Sequence, residues 1–159
     1  MESLRPLRDP IHLVAFGFGT GLVPRAPGTA GSLLGLVAAW WLVELPLVAR
    51  LGVVAGVIAL GIFVCGESAR RLERHDDQRI VFDEIAGVLL TAAIVAEKTF
   101  ATLALVFVFF RFFDIVKPWP IRDVDHRLGG GLGIILDDLI AALYAAVCVA
   151  TIRALLPTI

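Results

Sequence analysis

The sequence predicts an all-α fold, an integral membrane helical bundle of four to five short transmembrane helices, with acidic side chains gathered at its cytoplasmic end. Three observations predict it. Hydrophobic residues make up 58% of the 159 and charged residues 18%, against about 45–50% and about 25% in soluble domains. Mean hydropathy is +0.88 for a 17.1 kDa chain, whose interior is too small to hide that much apolar surface from water. The apolar residues also fall into runs separated by proline and glycine, and basic residues cluster between alternate runs. The length suits one domain spanning residues 1–159.

Five runs are candidates to cross a bilayer: 30–45, 51–66, 85–96, 101–116 and 134–156. A crossing helix takes roughly 17–25 residues, so several are short and thin the bilayer locally or stand nearly upright. Thr29 suits the N-cap of the first helix. Pro46 closes it. Pro118 ends the fourth, because the residue before a proline avoids the α region. The glycines at 129, 130, 131 and 133 break the chain before the fifth, and Pro157 closes it. Residues 1–9 are polar with two arginines, and no small-residue cleavage pattern follows, so no removable leader is expected.

With five crossings and a cytoplasmic N-terminus, eleven of the fourteen Lys and Arg fall inside; Arg50, Lys98 and Arg153 fall outside. This is the asymmetry of the positive-inside rule. The same arrangement leaves Glu44 and Glu97 as the carboxylates outside and collects the other acids at the cytoplasmic face. Net charge is −1, which gives no basic field for nucleic acid.

Carboxylates at or within membrane helices are costly and mark functional sites by default. Asp83 and Glu84 open the third helix, where they suit the helix dipole or a site equally. Gly87 shares their face, and leaves room for another helix or for a phosphate. Arg111, Asp114 and Lys117 follow at three-residue spacing, so neighbours touch along one helix face. Asp137 and Asp138 lie one turn into the fifth helix, inside apolar sequence, and point about 100° apart. Acids collected on one side call for positive charge, from Arg and Lys or from a hard divalent cation such as Mg²⁺.

The three histidines show no zinc spacing, and Cys65 and Cys148 sit singly in apolar runs as buried thiols. The glycine-rich stretch from Gly17 through Gly21 to Pro27, Gly28, Thr29 and Ser32 matches neither the Rossmann nor the Walker pattern. It reads as a phosphate-binding helix start or as a close-packed re-entrant turn. Gly52, Gly56 and Gly61 are available for helix packing within or between chains.

Four blocks resemble the phosphatidylglycerophosphatase A family. They are the glycine-rich residues 17–32; His75-Asp76 with residues 80–87; residues 110–114 with Lys117-Pro118-Trp119-Pro120; and residues 130–138, ending in Asp137-Asp138. The resemblance covers nearly the whole chain. It implies a multi-pass enzyme of the bacterial inner membrane with its active site facing the cytoplasm. The implied reaction is Mg²⁺-dependent hydrolysis of phosphatidylglycerophosphate to phosphatidylglycerol and inorganic phosphate. On that footing Asp76, Asp83, Glu84, Asp114, Asp137 and Asp138 are the expected Mg²⁺ ligands. Asp83, Glu84, Asp114, Asp138 and Thr29 are the expected catalytic groups. Arg111 and Lys117 are expected to bind phosphate, with the helix start at Gly28 and Ser32 offering backbone donors. Arg122 is a weaker phosphate-binding candidate, and Asp77, Arg70 and Arg71 take no role. Water, a carboxylate or the Thr29 hydroxyl are all open as nucleophile. A cation- or proton-coupled transporter is the alternative, but it needs acids near the bilayer midplane on facing helices.

Overall fold

The computed structural model describes residues 8–74, 77–122 and 129–156, and every regular element among them is helical. Two short pieces come first, α1 (Pro10–Ala15) and a 3₁₀ segment (Gly17–Leu22). Five longer helices follow: α2 (Pro27–Leu42), α3 (Leu47–Leu72), α4 (Phe82–Val95), α5 (Phe100–Val116) and α6 (Gly130–Leu155).

Each apolar run is a helix, with shifted boundaries. α2 begins at Pro27, whose missing N–H suits the first helical position. The residue before it is Ala26 in the left-handed region (φ 54°), so Thr29 lies inside the first turn and is not its N-cap. Pro46 is the residue leading into α3. α3 continues six residues beyond 66. α6 starts at Gly130 rather than 134, which puts Asp137 and Asp138 two turns into the helix instead of one. α5 ends on Lys117, left-handed at φ 43°, and Pro118 follows it. Pro157, His75, Asp76, His126 and Arg127 lie outside the described residues.

α3 and α6 have 26 residues each, with mean hydropathy 2.4 and 2.1 in their best windows. At about 1.5 Å per residue each exceeds the roughly 30 Å of a bilayer core. α2, α4 and α5, with 16, 14 and 17 residues, fall short of that length by themselves.

α4 is the centre of the bundle and packs on α2, α3, α5 and α6. Phe82, Ile85, Ala86, Val88, Leu89, Ala92 and Ala93 are all buried along it. Close approach is set by small residues. A Cβ on Gly87 would stand 2.4 Å from a Phe110 ring carbon, and one on Gly131 would stand 1.8 Å from the Ile62 carbonyl oxygen. Gly87 is therefore filled by α5. Gly61 packs on Ile135 and Phe82, while Gly52 and Gly56 face open space. Large apolar side chains point outward all round the bundle, among them Leu33, Val48, Phe63, Val108, Phe112 and Val147.

The N-terminal pieces brace the start of α4. Asp9 caps α1 by accepting from the Ile11 N–H at 2.9 Å. His12 Nδ1 is 2.9 Å from the Ser68 hydroxyl on α3. The chain reverses at Phe18 and Gly19, both at positive φ. The Val81 N–H then donates to the Ala15 carbonyl at 2.9 Å. A Cβ on Gly21 would lie 2.0 Å from the Arg79 carbonyl oxygen. Residues 17–21 thus form a close-packed turn. Cys65 and Cys148 are free thiols, one buried and one half-buried.

Candidate active site

Five segments meet around a cavity of about 380 Å³ at one end of the bundle. Ala26, Pro27 and Gly28 come from the start of α2, and Asp77, Gln78 and Ile80 from the stretch before α4. Asp83 and Glu84 lie on the first turn of α4. Arg111, Asp114, Ile115 and Lys117 close α5, and Ile134, Asp137 and Asp138 face in from α6.

The acids divide into two sets by their partners. One carboxylate oxygen from each of Asp83, Glu84 and Asp138 falls within 4.8 Å of the other two. At that spacing ionised pairs repel by roughly 3–4 kcal/mol at an effective dielectric of about 20. Glu84 Oε2 and Asp138 Oδ2 are buried without a hydrogen-bond partner. Buried polar atoms are nearly always satisfied, and an exception asks for a proton, water or ion. Oxygen-only donors in this number fit a hard divalent cation such as Mg²⁺.

The second set is paired within the protein. Asp114 accepts a short hydrogen bond from Arg111 Nη1, one turn away on α5. Arg111 Nη1 also lies 3.8 Å from Glu84 Oε1, which ties the two sets together. Lys117 Nζ donates to Asp137 Oδ2 at 2.7 Å, across from α5 to α6. Asp77 is clasped by Arg79, whose Nε and Nη2 each donate at 2.7 Å. That guanidinium holds the Asp77 carboxyl below its ordinary value.

Gly28 is the close neighbour of this arrangement. A Cβ there would stand 2.1 Å from Glu84 Oε1 and 3.0 Å from Arg111 Nη1. The absence of a side chain lets α2 lie directly on the Glu84 carboxylate.

The structure thus brings Asp83, Glu84, Asp114, Asp137, Asp138, Arg111, Lys117 and Gly28 to one cavity. Thr29 and Ser32 are not among its lining residues. The Thr29 N–H already donates to the Ala26 carbonyl at 3.1 Å. The buried Ser32 hydroxyl donates to the Gly28 carbonyl at 2.8 Å. Asp76 lies outside the described residues. Asp77, given no role from the sequence, is in the wall, and Gln78 joins it at the rim. Nothing local in the sequence distinguishes Asp77 from its neighbour; the nearby Arg79 is the one available signal.

The family match and two of the relatives carry the same name. Residues 13–153 match the family described as phosphatidylglycerophosphatase A. A Haemophilus influenzae phosphatidylglycerophosphatase A is 40% identical, over 92% of this chain and 91% of its own. An Escherichia coli phosphatidylglycerophosphatase A is 38% identical, over 91% of this chain and 84% of its own. A Bacteroides thetaiotaomicron protein with the provisional name phosphatidylinositol-3-phosphatase is 36% identical, over 94% of this chain and 96% of its own. No solved structure matches the chain. The chain belongs to the phosphatidylglycerophosphatase A family, and with it to the phosphatases.

Proposed function

We propose that this protein removes the terminal phosphate of phosphatidylglycerophosphate, in a Mg²⁺-dependent hydrolysis that yields phosphatidylglycerol and inorganic phosphate. The observation that carries the reading is the convergence of Asp83, Glu84 and Asp138 within 4.8 Å, beside two basic side chains in the same cavity. Six acids line that wall against Arg111 and Lys117, so a phosphomonoester dianion enters only with a cation to neutralise them. Asp83, Glu84 and Asp138 would hold Mg²⁺, which supplies Lewis acidity at a phosphoryl oxygen when bound. Asp114 and Asp137, expected from sequence as further ligands, are better used where they are, holding Arg111 and Lys117 in place.

The chain's own groups divide the remaining work. Arg111 and Lys117 bind the non-bridging phosphate oxygens and fix their orientation. Glu84 Oε2 and Asp138 Oδ2, which have no protein partner, are the atoms open to a cation or to the proton of a water molecule. Hydrolysis adds a water oxygen to phosphorus and breaks the bond from phosphorus to the glycerol oxygen. The departing oxygen leaves as a hydroxyl.

We place the site at the cytoplasmic face of the bacterial inner membrane, with the helices α2 to α6 as five crossings. The charge asymmetry supports this placement. So do the Lys98–Glu44 and Arg153–Glu97 pairs, which gather the outward charges at the other end of the bundle. Acids at one end, rather than midway on facing helices, favour surface chemistry on a headgroup over transport. Phosphate release from phosphatidylglycerophosphate in detergent, with Mg²⁺ and with chelator, tests the reading. Phosphatidic acid and phosphatidylinositol 3-phosphate serve as comparison substrates. Mg²⁺-dependent release from the first lipid is expected. No release from it under any condition would overturn the reading, and equal release from all three would widen the substrate class.

A further inference from the structure

Among the described residues, the wall of the acid cavity holds one uncharged polar side chain, that of Gln78. Nothing in the phosphate chemistry uses it, and its amide makes no hydrogen bond to the described residues. Its backbone is held firmly. The Ile80 N–H donates to the Asp77 carbonyl at 2.9 Å and closes a turn over residues 77–80. Inside that turn the Arg79 N–H donates to Asp77 Oδ1 at 3.1 Å. The Arg79 guanidinium is engaged elsewhere: it clasps Asp77 and lies 5.3 Å from the centre of the Phe16 ring. Gly21 packs directly on the Arg79 carbonyl. With Asp77 clasped and Ile80 buried, Gln78 is the side chain that this turn offers to a ligand.

The proposed substrate has a neutral part for such a group to read. Between the phosphate that leaves and the diester that carries the acyl chains lies a glycerol with one free hydroxyl. A cavity of about 380 Å³ takes a small organic group, so the glycerol follows the phosphate in. Most of the polar groups it meets are already engaged. Asp114 and Asp137 hold Arg111 and Lys117, and Asp77 holds Arg79. Asp83, Glu84 and Asp138 face one another. Ala26, Pro27, Ile80, Ile115 and Ile134 bring no polar side chain to the wall. A primary amide donates and accepts, as a hydroxyl does. It carries no charge to compete for the cation or the phosphate.

We propose that Gln78 is a specificity residue: it hydrogen-bonds the free hydroxyl of the headgroup glycerol and so selects phosphatidylglycerophosphate over lipid monoesters that lack it. The proposal rests on the lipid phosphatase reading above. It adds what the charged groups cannot supply, since they meet the same phosphate on every phosphomonoester. Because the turn is fixed beforehand, only the Gln78 side chain must be ordered on binding.

The test is kcat/KM in mixed micelles for phosphatidylglycerophosphate and for an analogue with 1,3-propanediol in place of the headgroup glycerol. Both are measured with the wild type and with Gln78→Leu, which keeps the bulk and removes the amide. The wild type is expected to prefer the hydroxyl-bearing lipid by about fivefold, the worth of one net hydrogen bond. Gln78→Leu is expected to lose about that factor on the natural headgroup, mainly in KM, and to stay within about twofold on the analogue. Gln78→Ala, which adds no apolar bulk, is expected to give the same pattern. Equal losses on both lipids, no loss on either, or no preference in the wild type would overturn the proposal and leave the phosphatase reading intact. A wild type that releases no phosphate from either lipid would instead overturn the phosphatase reading, and the proposal with it.

Discussion

Asp138 and Glu84 each have a buried oxygen with no hydrogen-bond partner and acidic neighbours within 4.8 Å. Removing one of these charges cannot deepen their mutual repulsion. Asp138→Asn is therefore expected to keep or raise the thermal midpoint in metal-free buffer. Its turnover should fall by more than about a hundredfold, since disturbing even the outer partners of a metal site costs about 10–100-fold. Phosphate release and a melting curve on the same preparation check both signs. Full activity in this variant would remove the site. Gly28 makes a different demand. Gly28→Ala sets a methyl group against Glu84 Oε1, and the carboxylate end must swing away. A displacement near 1 Å costs about a hundredfold in rate. The fold should survive, because what yields is the end of a side chain. Wild-type kcat in purified Gly28→Ala would show that Glu84 need not lie where it does.

The element that organises the site is α4, since it carries two of the acids and touches every other long helix. Its contact with α5 turns on Gly87 and Phe110. Gly87→Ala overpacks that contact, at about 1–3 kcal/mol, and is expected to lower the thermal midpoint by on the order of 5 °C. Phe110→Leu in the same chain should recover part of the loss, and an unshifted melting curve for Gly87→Ala would refute the packing account. The stretch leading into α4 depends on the Asp77–Arg79 clasp. The Asp77 carboxyl is depressed in the folded state. Its stabilisation is therefore complete above the unfolded value of about 3.9 and is lost as pH falls through the lower folded value. Asp77→Asn is expected to lower stability at pH 7, where the clasp contributes fully, and to flatten the acid limb of a stability-against-pH curve. An unchanged acid limb would show that the clasp carries no such stability. Much of this level could be read from the letters. All five apolar runs are helices, because long runs between prolines and glycines have few other outcomes. The boundaries moved where glycines entered a helix, as at Gly130 to Gly133. Ser32 falls outside the cavity because it lies in the second turn of α2, where its hydroxyl bonds back to the Gly28 carbonyl. The Arg111–Asp114 pair was legible from its three-residue spacing. The Lys117–Asp137 pair, twenty residues apart, depends on how α5 meets α6, and no spacing rule reaches it.

Taken whole, the molecule separates its polar work to the two ends of an apolar bundle. The acid cavity lies at the starts of α2 and α4 and the end of α5, and the Lys98–Glu44 and Arg153–Glu97 pairs lie at the other end. Between them the exposed surface is rich in Leu, Val, Ile and Phe, as a lipid-facing belt requires. Such a bundle can present a headgroup to the acids while the tails stay in hydrocarbon. The central claim is that Asp83, Glu84 and Asp138 together form the cation cage. The most direct measurement is a Mn²⁺ titration of the purified protein, followed by electron paramagnetic resonance, in wild type and in Asp138→Asn. The account predicts saturable binding in the wild type, displaced by Mg²⁺, and at least a tenfold weaker affinity in the variant. Equal binding in both, or none in the wild type, would contradict it.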